Sequence, residues 1–173
     1  MSSESQKLGE VKRFWERQAE RIGEFRQASS TAYYLEGEKR LIRPWLNGMN
    51  GCKVLKLDLW NEVKNTNILA WMALQGATTH AVDISFSLVR KAADEFRTSG
   101  LVPRFSVASL YQLPFKPESF DFLYTMGTIE HAEDMDRCVA EIYRVLKPGG
   151  IAVVGVPNKH DPFLRPLLVY AMN

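Results

Sequence analysis

The chain has 173 residues, 46% of them hydrophobic, so it can bury one ordinary core and has no room for two full domains. Its 22 basic and 20 acidic residues leave a net charge of +2, too small to make nucleic acid or an anionic membrane an obligatory partner, and a small-molecule substrate fits better. The charged start, Met1-Ser2-Ser3-Glu4-Ser5-Gln6-Lys7, leads into no apolar run, so neither a signal peptide nor a membrane span is expected and a soluble, cytoplasmic protein is.

Residues 6–27 read as an amphipathic helix, because Val11, Phe14, Trp15, Ala19, Ile22 and Phe25 recur in threes and fours. A second helix over 32–46 carries Tyr33, Tyr34, Leu41, Ile42 and Trp45, and the run Asn47-Gly48-Met49-Asn50-Gly51 breaks it. Lys12-Arg13 and Lys39-Arg40 belong on solvated faces of these helices. Residues 1–50 therefore form a helical cap, and 51–173 form the core domain.

Lys53 to Leu57 reads as a buried strand, and Thr66 to Gln75 as a helix that Gly76 stops. Thr78 to Val82 is the next strand; Ser85 or Ser87 caps a helix marked by Leu88, Val89, Ala92, Ala93 and Phe96, which runs to Gly100. Strands follow at 104–108 and 120–125. Met135, Cys138, Val139, Ile142 and Leu146 then define a helix that Gly149 and Gly150 terminate. Ile151 to Val156 is a fifth strand, and Asp161 caps a further helix with Pro162 at its first position. Strand and helix alternate throughout, which predicts right-handed crossovers and an α/β, doubly wound, mostly parallel sheet. Cys52 and Cys138 form no CxxC pair and read as reduced structural residues. His80, His131 and His160 lack ligand spacing, so no metal site is expected.

In such a sheet the ligand crevice lies beyond the carboxyl ends of the strands, and the first turn, Asp58 to Asn65, faces it. That turn has no glycine, and Trp60 and Glu62 fill the space glycines would leave. Period-two alternation puts Lys56 and Asp58 on one side of the chain, where they can pair with each other, contact a ligand, or do both. Asn61, Asn65 and Asn67 can visit the left-handed region and preserve the turn. Asp83, at the end of the second strand, can accept hydrogen bonds from ribose hydroxyls or serve the following helix N-terminus as an acid.

The segments Ala81-Val82-Asp83-Ile84-Ser85, Leu113-Pro114-Phe115, Ser119-Phe120-Asp121, Glu130-His131 and Leu146-Lys147-Pro148-Gly149-Gly150 follow at domain-like intervals. Together they resemble the class I, Rossmann-like, S-adenosylmethionine-dependent methyltransferases, over roughly residues 14–157. The resemblance puts Asp58, Trp60 and Glu62 where three glycines are usual and Lys56 where an acid is usual. A lysine there costs a sulfonium-bearing cofactor about 1 to 4 kcal/mol at a separation of about 4 Å, unless Asp58 compensates.

What the resemblance implies is a cofactor site for S-adenosylmethionine made by Lys56, Asp58, Trp60 and Asn61, by Asp83 and Ile84 at the ribose, by Ser109 and Leu110 at the adenine, and by Met126 and Gly127 near the methyl donor. It also implies His131 and Glu130 beside the acceptor, with His131 as an optional base, and Trp15, Tyr33 and Tyr34 as a roof. The implied activity is methyl transfer to a small molecule; the alternative is a non-catalytic homologue serving as a binding or scaffold protein, which Trp60 and Glu62 favour. A nicotinamide dehydrogenase would need a GxGxxG after the first strand, which is absent. Members of the resembling family continue past the fifth strand with a helix and an antiparallel strand pair, so a chain ending at Asn173 is expected either to be a fragment lacking the last two strands or to have its sheet edge covered by a partner subunit, as in a homo-oligomer.

Overall fold

A five-stranded sheet organises the chain in the computed structural model, which describes residues 3–21, 23, 26–45 and 48–156. Its strands are β1 (Lys53–Lys56), β2 (Thr78–Asp83), β3 (Phe105–Val107), β4 (Phe120–Met126) and β5 (Leu146–Gly155). They lie in the order β3-β2-β1-β4-β5, and every neighbouring pair is parallel. The order reverses between β1 and β4, so the crevice beyond their carboxyl ends is the topological switch point.

The helices are α1 (Ser3–Arg21), α2 (Ser29–Ile42), α3 (Trp60–Lys64), α4 (Ile68–Leu74), α5 (Phe86–Thr98) and α6 (Met135–Val145). Short 3-10 turns follow α2 at Arg43–Trp45 and β4 at Ile129–His131. Strand side chains alternate between two cores. Val54, Ala81, Phe122 and Tyr124 pack with Ile68, Leu69 and Met72 of α4 and Leu88, Ala92 and Phe96 of α5. On the opposite face, Leu55, Val82 and Leu123 pack with Ile142 and Val145 of α6. Gly76 and Gly100, at φ +93° and +74°, end α4 and α5 as their positions predict.

The structure corrects several expectations. The predicted helix over 66–75 is preceded by a separate turn of helix, α3, and α4 itself starts only at Ile68, because Asn67 stands in the left-handed region at φ +54°. Gly149 and Gly150 do not end α6. That helix stops at Val145, Leu146 is already extended, and Lys147 to Gly150 form an irregularity inside β5. Pro148 biases its predecessor toward extended backbone, and a side chain at Gly150 would overlap the Lys147 carbonyl. Glu130-His131 sits in its own 3-10 turn ahead of α6. Lys39 is not on a solvated face: its side chain is 16% exposed, pairs with Glu36 at 2.7 Å and lies over the Trp71 ring. Ile22, Phe25 and the helix expected after Asp161 lie outside the described residues.

Candidate functional site

At the end of β1 the chain meets a conflict: Lys56 points into the core, with its side chain 0% exposed. Burying an ammonium group costs several kcal/mol unless it is paired and hydrogen-bonded. The next residues supply what it needs. Lys56 Nζ donates to Asp58 Oδ1 at 2.7 Å and to the Asp58 carbonyl at 2.9 Å, and Glu62 Oε1 stands 3.7 Å away. The charge reversal at Lys56 is therefore cancelled within the fold. Burial opposes the lysine's charge, but Asp58 and Glu62 outweigh it and hold its pKa above the ordinary value.

Glu62 is buried on α3 and accepts from Leu69 N with both oxygens at 3.1 Å, so it holds the first turn of α4. Burial pushes its carboxyl up to about 7, against the lowering effect of Lys56 and the Leu69 N–H. Asp58 Oδ2 accepts from the Thr128 hydroxyl at 3.2 Å, tying the loop after β1 to the loop after β4. Beneath them Tyr124 donates to Glu38 Oε1 of α2 at 2.7 Å, and burial drives its phenol far above the ordinary range. This network occupies the place of the missing glycines. Asn61 lies within α3, and its carbonyl accepts from Asn65 N and Asn67 N.

Asp83 ends β2 facing the same loop. Its Oδ2 accepts from Leu59 N and its Oδ1 from Ser85 N, both at 2.8 Å. Burial pushes this carboxyl up to about 6, while the two N–H groups act the other way. The acid thus organises the turn before α5 and ties it to the loop after β1. A carboxylate has about four acceptor directions, and these bonds use one on each oxygen. Ile84, half-buried, follows it.

On the far side, Ser109 Oγ accepts from Tyr111 N at 3.2 Å, and Leu110 packs against the second core. Met126 ends β4 against the first core, and Gly127 follows at φ +72° with its N–H on the Gly155 carbonyl. A side chain at Gly155 would overlap Met126 Sδ, so the β5 glycine is what gives that thioether its place. Glu130 Oε1 lies 4.0 Å from His131 Nε2, and its Oε2 is buried without a hydrogen-bond partner. An orphaned carboxylate oxygen at a crevice mouth fits a ligand that brings a donor.

Of the three roof candidates the structure brings one over the crevice. Trp15 of α1 packs edge-on to Trp60 at 6.3 Å and to His131 at 5.1 Å, joining the loops after β1 and β4. Tyr33 and Tyr34 are 72% and 51% exposed and pack on each other. Glu16, beside Trp15, contacts the start of α5, a partner no periodicity in the sequence could reveal. Glu38 was missed for the same reason, since its partner Tyr124 is 86 residues away.

S-adenosylmethionine fits this set of residues on two counts. Asp83 retains acceptor capacity at the carboxyl end of β2, and Glu130 Oε2 is buried without a donor. Lys56 itself presents no surface to a ligand and acts through Asp58. Among the described residues no group of three His, Cys, Asp or Glu side chains could hold a metal ion, and no helix is long and apolar enough to cross a membrane.

Comparison with known proteins gives the same reading. Residues 64–154 match the family described as the methyltransferase domain, a match that begins just after the loop of Asp58 to Val63. The chain is 36% identical over 84 residues to the methyltransferase GfsG of Streptomyces halstedii, covering 47% of this chain and 30% of that protein. It is 36% identical over 72 residues to the ubiquinone/menaquinone biosynthesis C-methyltransferase UbiE of Bordetella parapertussis, covering 42% and 28%. The matched stretch thus spans less than a third of these curated relatives. Among solved structures, the PH0226 protein of Pyrococcus horikoshii superposes with a TM-score of 0.66 at 23% identity, covering 84% of this chain and 65% of that one. Phosphoethanolamine N-methyltransferase 2 of Haemonchus contortus, solved with phosphomonomethylethanolamine and S-adenosylhomocysteine, superposes with a TM-score of 0.64 at 21% identity over 79% of this chain and 32% of that one. These superpositions establish the fold. With more than half of its length matched by the domain family, the chain belongs to the class I, Rossmann-like family of S-adenosylmethionine-dependent methyltransferases.

Proposed function

We propose that the chain transfers a methyl group from S-adenosylmethionine to a small-molecule acceptor, in the crevice beyond the carboxyl ends of β1, β2 and β4. The observation that carries the reading is Asp83, an acid at the carboxyl end of β2, the strand beside the β1–β4 switch, whose two oxygens each keep an acceptor direction. In this reading Asp83 takes the ribose hydroxyls with Ile84 beside it, and Ser109 and Leu110 line the adenine side. Asp58, Trp60 and Asn61 line the other end, with Lys56 behind them, and Met126 and Gly127 form the floor between.

The cofactor supplies a methyl group already activated on a positively charged sulfur, so alignment matters more than acid or base assistance. The acceptor's nucleophilic atom gains the methyl group and loses its proton. His131, half exposed beside Glu130, is the side chain that takes that proton in this reading. Trp15 and Trp60 shield the site from water. Titration calorimetry with S-adenosylmethionine and S-adenosylhomocysteine tests the reading. Micromolar binding by the wild type, weakened at least about tenfold in Asp83→Ala by loss of a charged hydrogen-bond acceptor, is expected. A folded wild-type chain that binds neither ligand at millimolar concentration refutes it.

A further inference from the structure

Two consecutive residues of α1 fasten the roof to both walls of the crevice. Trp15 holds the side of β1 and β4 through Trp60 and His131. Glu16 holds the side of β2 and α5: Oε1 accepts from Phe86 N at 2.6 Å, and Oε2 accepts from the Ser85 hydroxyl at 2.9 Å, from Ser87 N at 3.3 Å and from the Ser87 hydroxyl. The first turn of α5 has no acid of its own, so its exposed N–H groups and the positive end of its dipole receive their carboxylate from 70 residues away.

We propose that Glu16 is a positioning residue that latches α1 across the crevice and, through Ser85, holds Asp83 and the loop after β1 in the closed arrangement, so that the cofactor enters and leaves only when this latch opens. The inference rests on the methyl-donor reading given above. Helix capping alone does not require Glu16, because Ser85 Oγ already accepts from Leu88 N at 3.2 Å. What Glu16 adds is attachment. Among the described side chains of α1, Ala19 is buried and Trp15 half-buried, whereas Leu8, Val11 and Phe14 are 38%, 38% and 45% exposed, so apolar packing holds the helix chiefly on the Trp60 side and leaves the α5 side to Glu16. The hydrogen bonds continue inward without a gap: Ser85 N donates to Asp83 Oδ1 and Leu59 N to Asp83 Oδ2, each at 2.8 Å. Releasing Glu16 therefore loosens a connected path from the roof to the ribose acid and on to the donor loop.

The test compares Glu16→Ala and Glu16→Gln with wild type in two assays. Amide hydrogen exchange of the ligand-free proteins is expected to show residues 3–21 and the amides of Phe86 and Ser87 exchanging about tenfold or more faster in the alanine variant, with β1 and β4 unchanged. The glutamine variant, which keeps an acceptor oxygen but loses the charge, falls between. Stopped-flow fluorescence of Trp15 and Trp60 is expected to show S-adenosylhomocysteine association and dissociation both accelerated by a similar factor in the alanine variant. Unchanged exchange in α1 overturns the latch; faster exchange with unchanged ligand rates overturns its control of the cofactor. A wild-type chain that binds no S-adenosylhomocysteine, with α1 protection still lost in Glu16→Ala, overturns the methyl-donor reading and leaves the latch standing.

Discussion

Replacing Lys56 with methionine keeps the volume of the side chain and deletes only its charge and its hydrogen bonds. In the folded protein this leaves Asp58, 10% exposed, and Glu62, 1% exposed, facing each other without a cation. Breaking a buried pair by removing one partner costs about 3 to 5 kcal/mol. Part of that is recoverable, because Glu62 already titrates at about 7 and loses the lysine that lowers its pKa. Below that value Glu62 stays neutral and the damage is limited; above it, keeping the proton costs up to about 1.4 kcal/mol per pH unit. The loss should therefore be larger at pH 8 than at pH 6. With a urea m-value of about 2 kcal/mol/M, the unfolding midpoint at pH 8, followed by tryptophan fluorescence, should fall by about 1.5 to 2.5 M. A shift below about 0.3 M at pH 8, or an equal shift at both pH values, would refute the view that Lys56 neutralises a buried acidic site.

The wild type should lose stability from pH 5 to pH 8, since Glu62 and Asp83, raised to about 7 and about 6, hold protons that the unfolded chain has released. His80, lowered by burial, opposes this trend, and Glu62→Gln should flatten it in urea titrations across that range. Asp83→Asn turns an NH2 group toward one of two buried backbone N–H donors and should cost about 1 to 3 kcal/mol in denaturant unfolding as well as weakening ligand binding. Asn67→Val forces a β-branched residue into the left-handed region before α4 and should destabilise by about 1 to 3 kcal/mol, whereas Asn67→Gly should be nearly neutral, measured the same way. Gly155→Ala should displace the flexible Met126 thioether toward the crevice, lowering affinity for S-adenosylhomocysteine in calorimetry with little change in the thermal midpoint.

The alternation of strand and helix was legible because each element carries its own period, and Gly76 and Gly100 mark helix ends by chemistry that depends on no distant residue. Lys56 and Asp58 could be paired from sequence because they are two apart on a strand end, and the structure brings them to 2.7 Å. The expectation that an asparagine would take the left-handed region is met at Asn67. The extent of the network was not legible. Glu16, Glu38 and Thr128 reach partners 70 or more residues away, and no local pattern reports where α1 and α2 dock. The end of α6 differs from expectation for another reason: Gly149 and Gly150 predict a helix stop, but the helix ends at Val145, Pro148 biases Lys147 toward extended backbone, and the glycines shape the start of β5.

The loop after β1 shows how a ligand turn can be fixed without glycine. A glycine turn works through backbone freedom and leaves open space; this one works through a cation that the backbone must wrap. Because Lys56 Nζ donates to both the carbonyl and the carboxylate of Asp58, the chain direction at the strand end is dictated by satisfying one buried ammonium. Glu62 then anchors α4 through Leu69 N, Asp58 anchors the β4 loop through Thr128, and Asp83 anchors Leu59 from the neighbouring strand. Each anchor is itself an acid; burial above all raises the pKa values of Glu62 and Asp83, and the neighbouring Asp58 charge adds to the rise. In the proposed reading a sulfonium would approach these carboxylates with Lys56 already paired among them. Placing a lysine where an acid is usual therefore need not oppose the donor: the acids recruited to neutralise Lys56 outnumber it.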